Sequence, residues 1–463
     1  MENKSSENEL PASQAISLTM TFCFISAVFI YLIYSNNIVF GSKVGGWIYP
    51  YFKNTDPISL WIPLTVLFLA GVFIYVGDKL IKKYEKATLL GCFLIAVVIQ
   101  ILIQSLYHFP MGQLIKSDGT NSFYTPALQH SPAEILSQYQ LLAPSFPLHA
   151  RTNMPGKILF FQFLTIFTTS PQIMGYLIIS ISTLGGLILY GICKHLFDDK
   201  TLALYAFVLY TLIPGKQVFF PILNTVTPIF ILICMYFLVV YLDSKNRLFL
   251  VLLGLSLYSL ALFEPSPFIT GILFIGVLLH AFVQKKILVK ELIGILLIPI
   301  LSAVITHLFF LVFFSFNLWT AGQYVVKDAM EFNLSAQRGY SIWLRENVKE
   351  FFYAVGLPIL MIFIYFLNSI FSQWKILVKN IANWCAIHIY VVGLLLTFCI
   401  VLFLGVNRGE TTRLWIYLAV FFQVPAAYFM AKSVKSNTMF FMLAGVLILQ
   451  SIISVLKVGF IVP

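Results

Sequence analysis

Apolar runs of about twenty residues alternate with short polar connections along nearly the whole chain. A helix that crosses a bilayer needs about 20 such residues. Thirteen runs fit, near 17–36, 59–77, 88–107, 173–194, 200–214, 226–242, 247–263, 266–283, 291–315, 352–371, 383–404, 413–431 and 438–459. The pattern predicts an all-α polytopic membrane protein of about thirteen transmembrane helices, with 200–214 the shortest. A fourteenth run, 156–170, reads GKILFFQFLTIFTTS, and its behaviour decides the side of every later loop.

Charge resolves that choice. If 156–170 lies in the interface and the N-terminus is inside, the inner connections are 78–87, 194–200, 243–247, 284–291, 372–382 and 432–437. Each is short and basic, holding Lys79, Lys82, Lys83, Lys86, Lys194, Lys200, Lys245, Arg247, Lys285, Lys286, Lys290, Lys375, Lys379, Lys432 and Lys435 between them. Were 156–170 to cross, 243–247 and 284–291 would move outside, against the positive-inside rule. The run therefore reads as an interfacial helix. Long outer loops follow at 108–172 and 316–351, with shorter ones at 37–58, 215–225 and 405–412. Three regions result: a tail with two extra spans over 1–87, a module with the long outer loop over 88–263, and C-terminal helices over 264–463.

Composition narrows the class. Of 463 residues 60% are hydrophobic and 10% charged, against about 45–50% and about 25% in soluble domains. This excludes a soluble globular enzyme and a disordered chain. The net charge of +11 belongs to membrane sidedness rather than to a nucleic acid. The cysteines Cys23, Cys92, Cys193, Cys234, Cys385 and Cys399 sit in or beside apolar runs and read as packing thiols. The tail from Met1 to Gln14 has too little positive charge for a signal peptide, so the first span reads as retained.

The spans are almost free of charge, whereas a transporter concentrates polar groups near the midplane. Polar chemistry gathers in the outer loops instead. Asp118 follows a span by about ten residues, between Ser117 and Gly119. It reads either as a solvated Asp-Gly turn or as a carboxylate placed to take a proton from an acceptor. His149, Arg151, Asn153, Pro155, Gly156 and Lys157 open the interfacial helix. Its N-terminal amides and two cations suit a phosphate at the membrane surface, or lipid headgroups. The loop 405–413 holds Arg408, Glu410 and Arg413, with Trp415 as an interface anchor. Arg413 opposes the helix dipole and needs a partner, either Glu410 or an anion. Lys216, Asn224 and Glu264 line the outer side as site residues or as loop polarity. In 316–351, Asp328, Glu331, Arg338, Arg345, Glu346, Lys349 and Glu350 read mainly as a solvated face of a second interfacial segment, with Trp343 as its anchor.

No nucleotide-binding or zinc motif is present, and the inner loops are too short for a nucleotide-binding domain. A high-energy donor would have to arrive from the lipid phase or the outer side.

A span at 88–107, then Asp118, then His149 through Met154-Pro155-Gly156-Lys157 resembles the membrane-embedded glycosyltransferases of the GT-C superfamily. The protein O-mannosyltransferase and aminoarabinose transferase families belong there. The stretch from Arg408 to Trp415 is similar to a late segment of bacterial members. The resemblance extends over roughly 88–430 in architecture, with about 25 specific matches. Where members commonly carry a second carboxylate after a proline, this chain has Asn224 behind Pro214 and Pro221, which leaves a divalent metal open.

The resemblance implies inverting transfer of a sugar from a polyprenyl-phosphate donor to a lipid, glycan or protein acceptor. Asp118 would be the base, and Arg408, Arg413, Arg151 and Lys157 would hold the donor phosphate. His149, Asn153, Lys216, Asn224, Glu264 and Glu410 would line the site, on the outer face of a bacterial inner membrane. A flippase or transporter, or a polymerase of envelope saccharides, is the alternative.

Overall fold

The computed structural model describes residues 11–52, 60–373 and 385–463. Residues 1–10 of the tail, part of the loop 37–58 and nearly all of the connection 372–382, with Lys375 and Lys379, lie outside the described residues.

The chain is an all-α bundle. Ten helical segments among the described residues are long and apolar enough to cross a membrane: Ala12–Tyr34, Trp61–Ile81, Glu85–Gln104, Pro171–Phe197, Leu223–Ser244, Ser266–Val283, Val289–Phe314, Ala386–Leu404, Ile416–Val434 and Asn437–Lys457. An eleventh arises if Tyr340–Val355 and Leu357–Ser372, bent by 106° at Gly356, form one broken span. Two predicted spans are shorter helices, Lys200–Thr211 and Leu248–Phe263. Twelve residues rise about 18 Å, against a hydrocarbon core of about 30 Å. Lys200–Thr211 is buried along Leu202–Thr211, as a helix sheathed by other helices would be.

Local chemistry sets the ends. Pro171 starts one helix at a position where its missing N–H costs nothing. Asp199 and Ser436 cap helix starts by accepting backbone N–H groups. Asp198, Lys245, Gly405 and Lys435 stop helices in the left-handed conformation. Small residues let helices meet closely: a Cβ on Gly185 would lie 2.1 Å from the Tyr210 hydroxyl. Lys200–Thr211 and Ile416–Tyr428 form the centre, whereas Val289–Phe314 buries only Ile295, Pro299 and Ser302.

The loops sort into two sets at opposite ends. At one end Glu85 pairs with Lys194 at 2.6 Å and Lys200 at 2.8 Å, Asp199 with Lys432 at 2.7 Å, and His195 with Asp243 at 2.6 Å. These link the basic loops assigned together from sequence. At the other end Trp343 Nε1 donates to the Gly45 carbonyl at 2.9 Å, and Lys349 donates to that of Val39 at 2.8 Å. A small antiparallel ribbon, Gly41–Ser42 with Trp47–Ile48, stiffens that loop. Cys23, Cys92, Cys193 and Cys234 are buried; Cys385 and Cys399 are half-buried.

Candidate functional site

The interfacial run forms a ten-residue helix, Gly156–Thr165, about 15 Å long and too short to cross a bilayer. Gly156 is essential to its position. A Cβ there would lie 2.4 Å from the Leu262 carbonyl oxygen. The close approach brings Lys157 against Glu264, just beyond Leu248–Phe263, in an ion pair of 2.9 Å. Lys157 also donates to Asn153 Oδ1 at 2.7 Å. Glu264 accepts from Thr227 Oγ1 at 2.6 Å and Ser266 Oγ at 2.9 Å. Burial pushes Lys157 down, opposed by Glu264. Burial pushes Glu264 up, but Lys157 and the hydroxyl donors hold its carboxyl below the usual range.

Three of the backbone amides expected to receive an anion are occupied. The N–H groups of Lys157, Ile158 and Leu159 donate to the carbonyls of Met154 and Pro155.

Loop 405–413 adds the second half. Glu410 accepts from Arg338 at 2.9 Å and from Arg413. Arg413 thus has the carboxylate partner its helix position required. Burial pushes Glu410 up, yet Arg413 and Arg338 hold it at about 2. Arg413 lies within electrostatic reach of His149 and Lys157, so the two halves form one cluster. His149 is lowered to about 4, first by burial and then by Arg413, and is neutral at pH 7. Three cations, Lys157, Arg338 and Arg413, face the carboxylates Glu264 and Glu410, and burial pushes the third carboxyl, Glu350, up to about 8, so one positive charge is in excess near neutral pH. The Nε atoms of Arg338 and Arg413 are buried and have no hydrogen-bond partner among the described residues.

The loop's shape comes from the helix Tyr340–Val355. Asn347 accepts from Gly409 N at 2.9 Å and donates to the Asn407 carbonyl at 2.8 Å. Glu350 accepts from Thr411 N at 2.9 Å. Gly409, at φ +90°, lies on the Trp343 ring. Positions 343, 347 and 350 share one helix face. The reading of this segment's charges as mainly a solvated face holds for Glu331 and Arg345, which are exposed, and in part for the half-buried Asp328, Glu346 and Lys349, but it fails on this face: Arg338 is 6% exposed, Trp343 and Asn347 1% each, and Glu350 0%. The face is buried because the long loop folds over the bundle end. Its spacing was the available signal; its long-range partners were not readable.

The remaining expected residues lie around this cluster. Asp118 is exposed, and its turn is held beside the cluster by a 3.0 Å contact between His149 Nε2 and the Gly119 carbonyl. The left-handed residue of that turn is Ser122, at φ +44°, rather than Gly119. An open groove of about 550 Å³ runs past it, lined by Gly112, Gln113, Lys116, Ser117, Pro171 and Pro463. Arg151 Nε donates to Asp328 at 3.2 Å, which ties the amphipathic helix Leu318–Ser335 to the site. Arg408 is turned into its own loop, donating to the carbonyls of Gly405 at 3.3 Å and Arg338 at 2.9 Å. Asn224 is buried in a turn against Thr411–Leu414. Lys216 is fully buried, its amine 3.8 Å from the Tyr210 ring centre, without a hydrogen-bond partner among the described residues.

Among the described residues no group of three His, Cys, Asp or Glu converges as a metal site. No family model, no curated protein and no solved structure matches this chain.

Proposed function

We propose that the chain is an integral membrane glycosyltransferase of the GT-C type. It takes a sugar from a polyprenyl-phosphate donor at the outer face of the membrane and passes it, with inversion, to a lipid, glycan or protein acceptor. The observation that carries this reading is the buried cluster at the non-basic end of the bundle. Segments 149–157 and 408–413, which carry the resemblance, come within electrostatic reach of each other there, Arg413 acting on His149 and Lys157. One excess positive charge beside half-satisfied guanidinium groups suits a phosphate whose charge grows as the sugar leaves.

In this reading Arg413 and Lys157 hold the phosphate, while Arg151 and Arg408 keep the loops around it in shape through Asp328 and backbone carbonyls. Asp118 removes the acceptor proton as the acceptor oxygen or nitrogen attacks the anomeric carbon. The bond to phosphate breaks and polyprenyl phosphate leaves. The groove beside Ser117 is the acceptor's approach. The short helices Lys200–Thr211 and Leu248–Phe263 also cross, giving thirteen crossings, with the N-terminus and the basic loops on the cytoplasmic side of a bacterial inner membrane.

The deciding experiment gives purified protein in nanodiscs a labelled polyprenyl-phosphate sugar. Sugar transfer with release of polyprenyl phosphate supports the reading. Movement of intact donor between leaflets points to a flippase, and a requirement for diphosphate-linked oligosaccharide points to a polymerase. Asp118→Asn should lower transfer by about 10²–10⁴-fold while leaving the unfolding midpoint unchanged. Retained transfer would remove Asp118 as the base.

A further inference from the structure

Glu350 differs from every other carboxylate in the cluster. It is fully buried. Its Oε2 accepts from Thr411 N at 2.9 Å and lies 3.4 Å from the Thr411 hydroxyl. Its Oε1 has no hydrogen-bond partner among the described residues. Both nearby guanidinium groups, those of Arg338 and Arg413, are bound to Glu410. Glu410 directly precedes Thr411, so two carboxyl groups share one dry space. A buried carboxylate with no cation of its own, beside a second carboxylate, is a costly arrangement, and taking up a proton relieves it.

The charged and titratable groups around Glu350 come from every neighbouring element. The ribbon loop brings Tyr49, whose buried hydroxyl is also without a partner among the described residues and feels both carboxylates. Loop 405–413 brings Glu410 and Arg413, and the turn before the helix brings Arg338. The helix itself brings Lys349, which is paired with Glu346 and the Val39 carbonyl. The segment Pro214–Gln217 brings Lys216, whose amine faces the Tyr210 ring. None of these cations forms an ion pair with Glu350.

We propose that Glu350 is a positioning residue that clamps the Arg413 loop as the neutral acid, and that its ionisation loosens the loop's hold on the donor phosphate. The clamp stands on the geometry alone; the effect on donor rests on the function proposed above. Burial and then Glu410 move Glu350 from 4.5 up to about 8. An unfolded chain releases this proton near 4.5, while the folded chain keeps it to about 8. The stability Glu350 contributes is therefore complete below about 4.5 and lost as pH rises to about 8. A neutral isostere escapes that loss.

The test compares the full-length wild type with E350Q in nanodiscs, reading the unfolding midpoint from pH 5 to 9 and the binding of undecaprenyl monophosphate as probe. E350Q should lie within a few-fold of wild type near pH 5 and exceed it increasingly up to pH 8, by roughly a hundredfold or more in the folded-to-unfolded ratio. The gap should then level off. Probe affinity should fall several-fold across pH 8 in wild type and stay flat in E350Q. An E350Q protein less stable than wild type at pH 7, with an unchanged pH slope, overturns the proposal. If neither protein binds the probe while the stability gap persists, the clamp stands and the donor reading fails. If E350Q does not fold, infrared spectra of wild type decide. A protonated-carboxyl stretch at pH 7 that fades by pH 9 upholds the clamp, and its absence at pH 7 overturns it.

Discussion

Glu85 and Glu410 each pair with two cations, in very different surroundings. Glu85 joins Lys194 and Lys200 at one end of the bundle; Glu410 joins Arg338 and Arg413 at the other. The pairs linking loops at the first end have side chains 23–39% exposed. In the cluster that holds Glu410 they are 2–14% exposed. Lysines serve the wet end and arginines dominate around Glu410. A strongly hydrated ammonium is suited to water, whereas a planar guanidinium holds a carboxylate with less desolvation. Exposed pairs contribute about 0–1 kcal/mol. Buried pairs often bring no net stability, yet breaking one is expensive. Retaining such a costly arrangement at one end only is the physical reason to look for chemistry there.

The largest expected effect breaks the dry end. Lys157→Ala leaves Glu264 buried without its cation and should destabilise the protein by about 3–5 kcal/mol, read as a lower unfolding midpoint in detergent. Replacing both partners together, Lys157→Met with Glu264→Leu, should recover most of that loss, since neither charge is then stranded. The double variant should still fail to bind polyprenyl phosphate. A stable double variant that binds normally would show that the pair is only structural.

A second test asks whether loop shape matters as much as charge. Gly409 has φ +90°, and a Cβ on it would lie 2.8 Å from the Trp343 ring. Gly409→Ala should cost about 1–3 kcal/mol through strain and collision. At Gly91, in the helix Glu85–Gln104, a Cβ would meet nothing within 4 Å. Gly91→Ala should be neutral or stabilise by up to about 1 kcal/mol. Equal losses at the two sites would remove the loop from special status.

His149 gives a pH-dependent test with a sign opposite to that of Glu350. The unfolded chain takes up a proton at His149 near 6.5, whereas burial and Arg413 delay this to about 4 in the folded protein. Stability is therefore lost as pH falls from about 6.5 to about 4. His149→Gln should flatten that acid-side decline in the unfolding midpoint while leaving the Glu350 slope in place. An unchanged decline would locate the acid sensitivity elsewhere.

Much of this division was legible in the sequence. Short lysine-bearing connections between apolar runs marked one end, and ionisable groups in otherwise apolar outer segments marked Lys157, His149, Glu410 and Arg413. Three things were hidden. Hydropathy does not tell which neighbours a helix has, so the burial of the short run Lys200–Thr211 on all sides was not readable. Arg338 and Glu350 looked like solvated polarity because their partners lie about 60–70 residues away in the chain. Arg151 and Arg408 looked as available for a phosphate as Arg413. Only the fold reveals that Asp328 and backbone carbonyls engage them.

The smallest expected effect is at the wet end and serves as the reference for all the others. Lys432 and Asp199 meet at 2.7 Å, with side chains 38% and 23% exposed. Lys432→Ala leaves Asp199 hydrated and still accepting the N–H groups of Thr201 and Leu202 as a helix cap. The loss should stay below about 1 kcal/mol. Salt should shrink it further, because exposed charges are screened over a Debye length of about 8 Å at physiological ionic strength and about 3 Å at 1 M. The loss from Lys157→Ala should barely respond to the same salt, since its partner is shielded from counterions. Measuring both variants across a salt series therefore compares the two ends directly. Parallel salt responses would mean that the Lys157 end is open to water, and the contrast in their chemistry would fall.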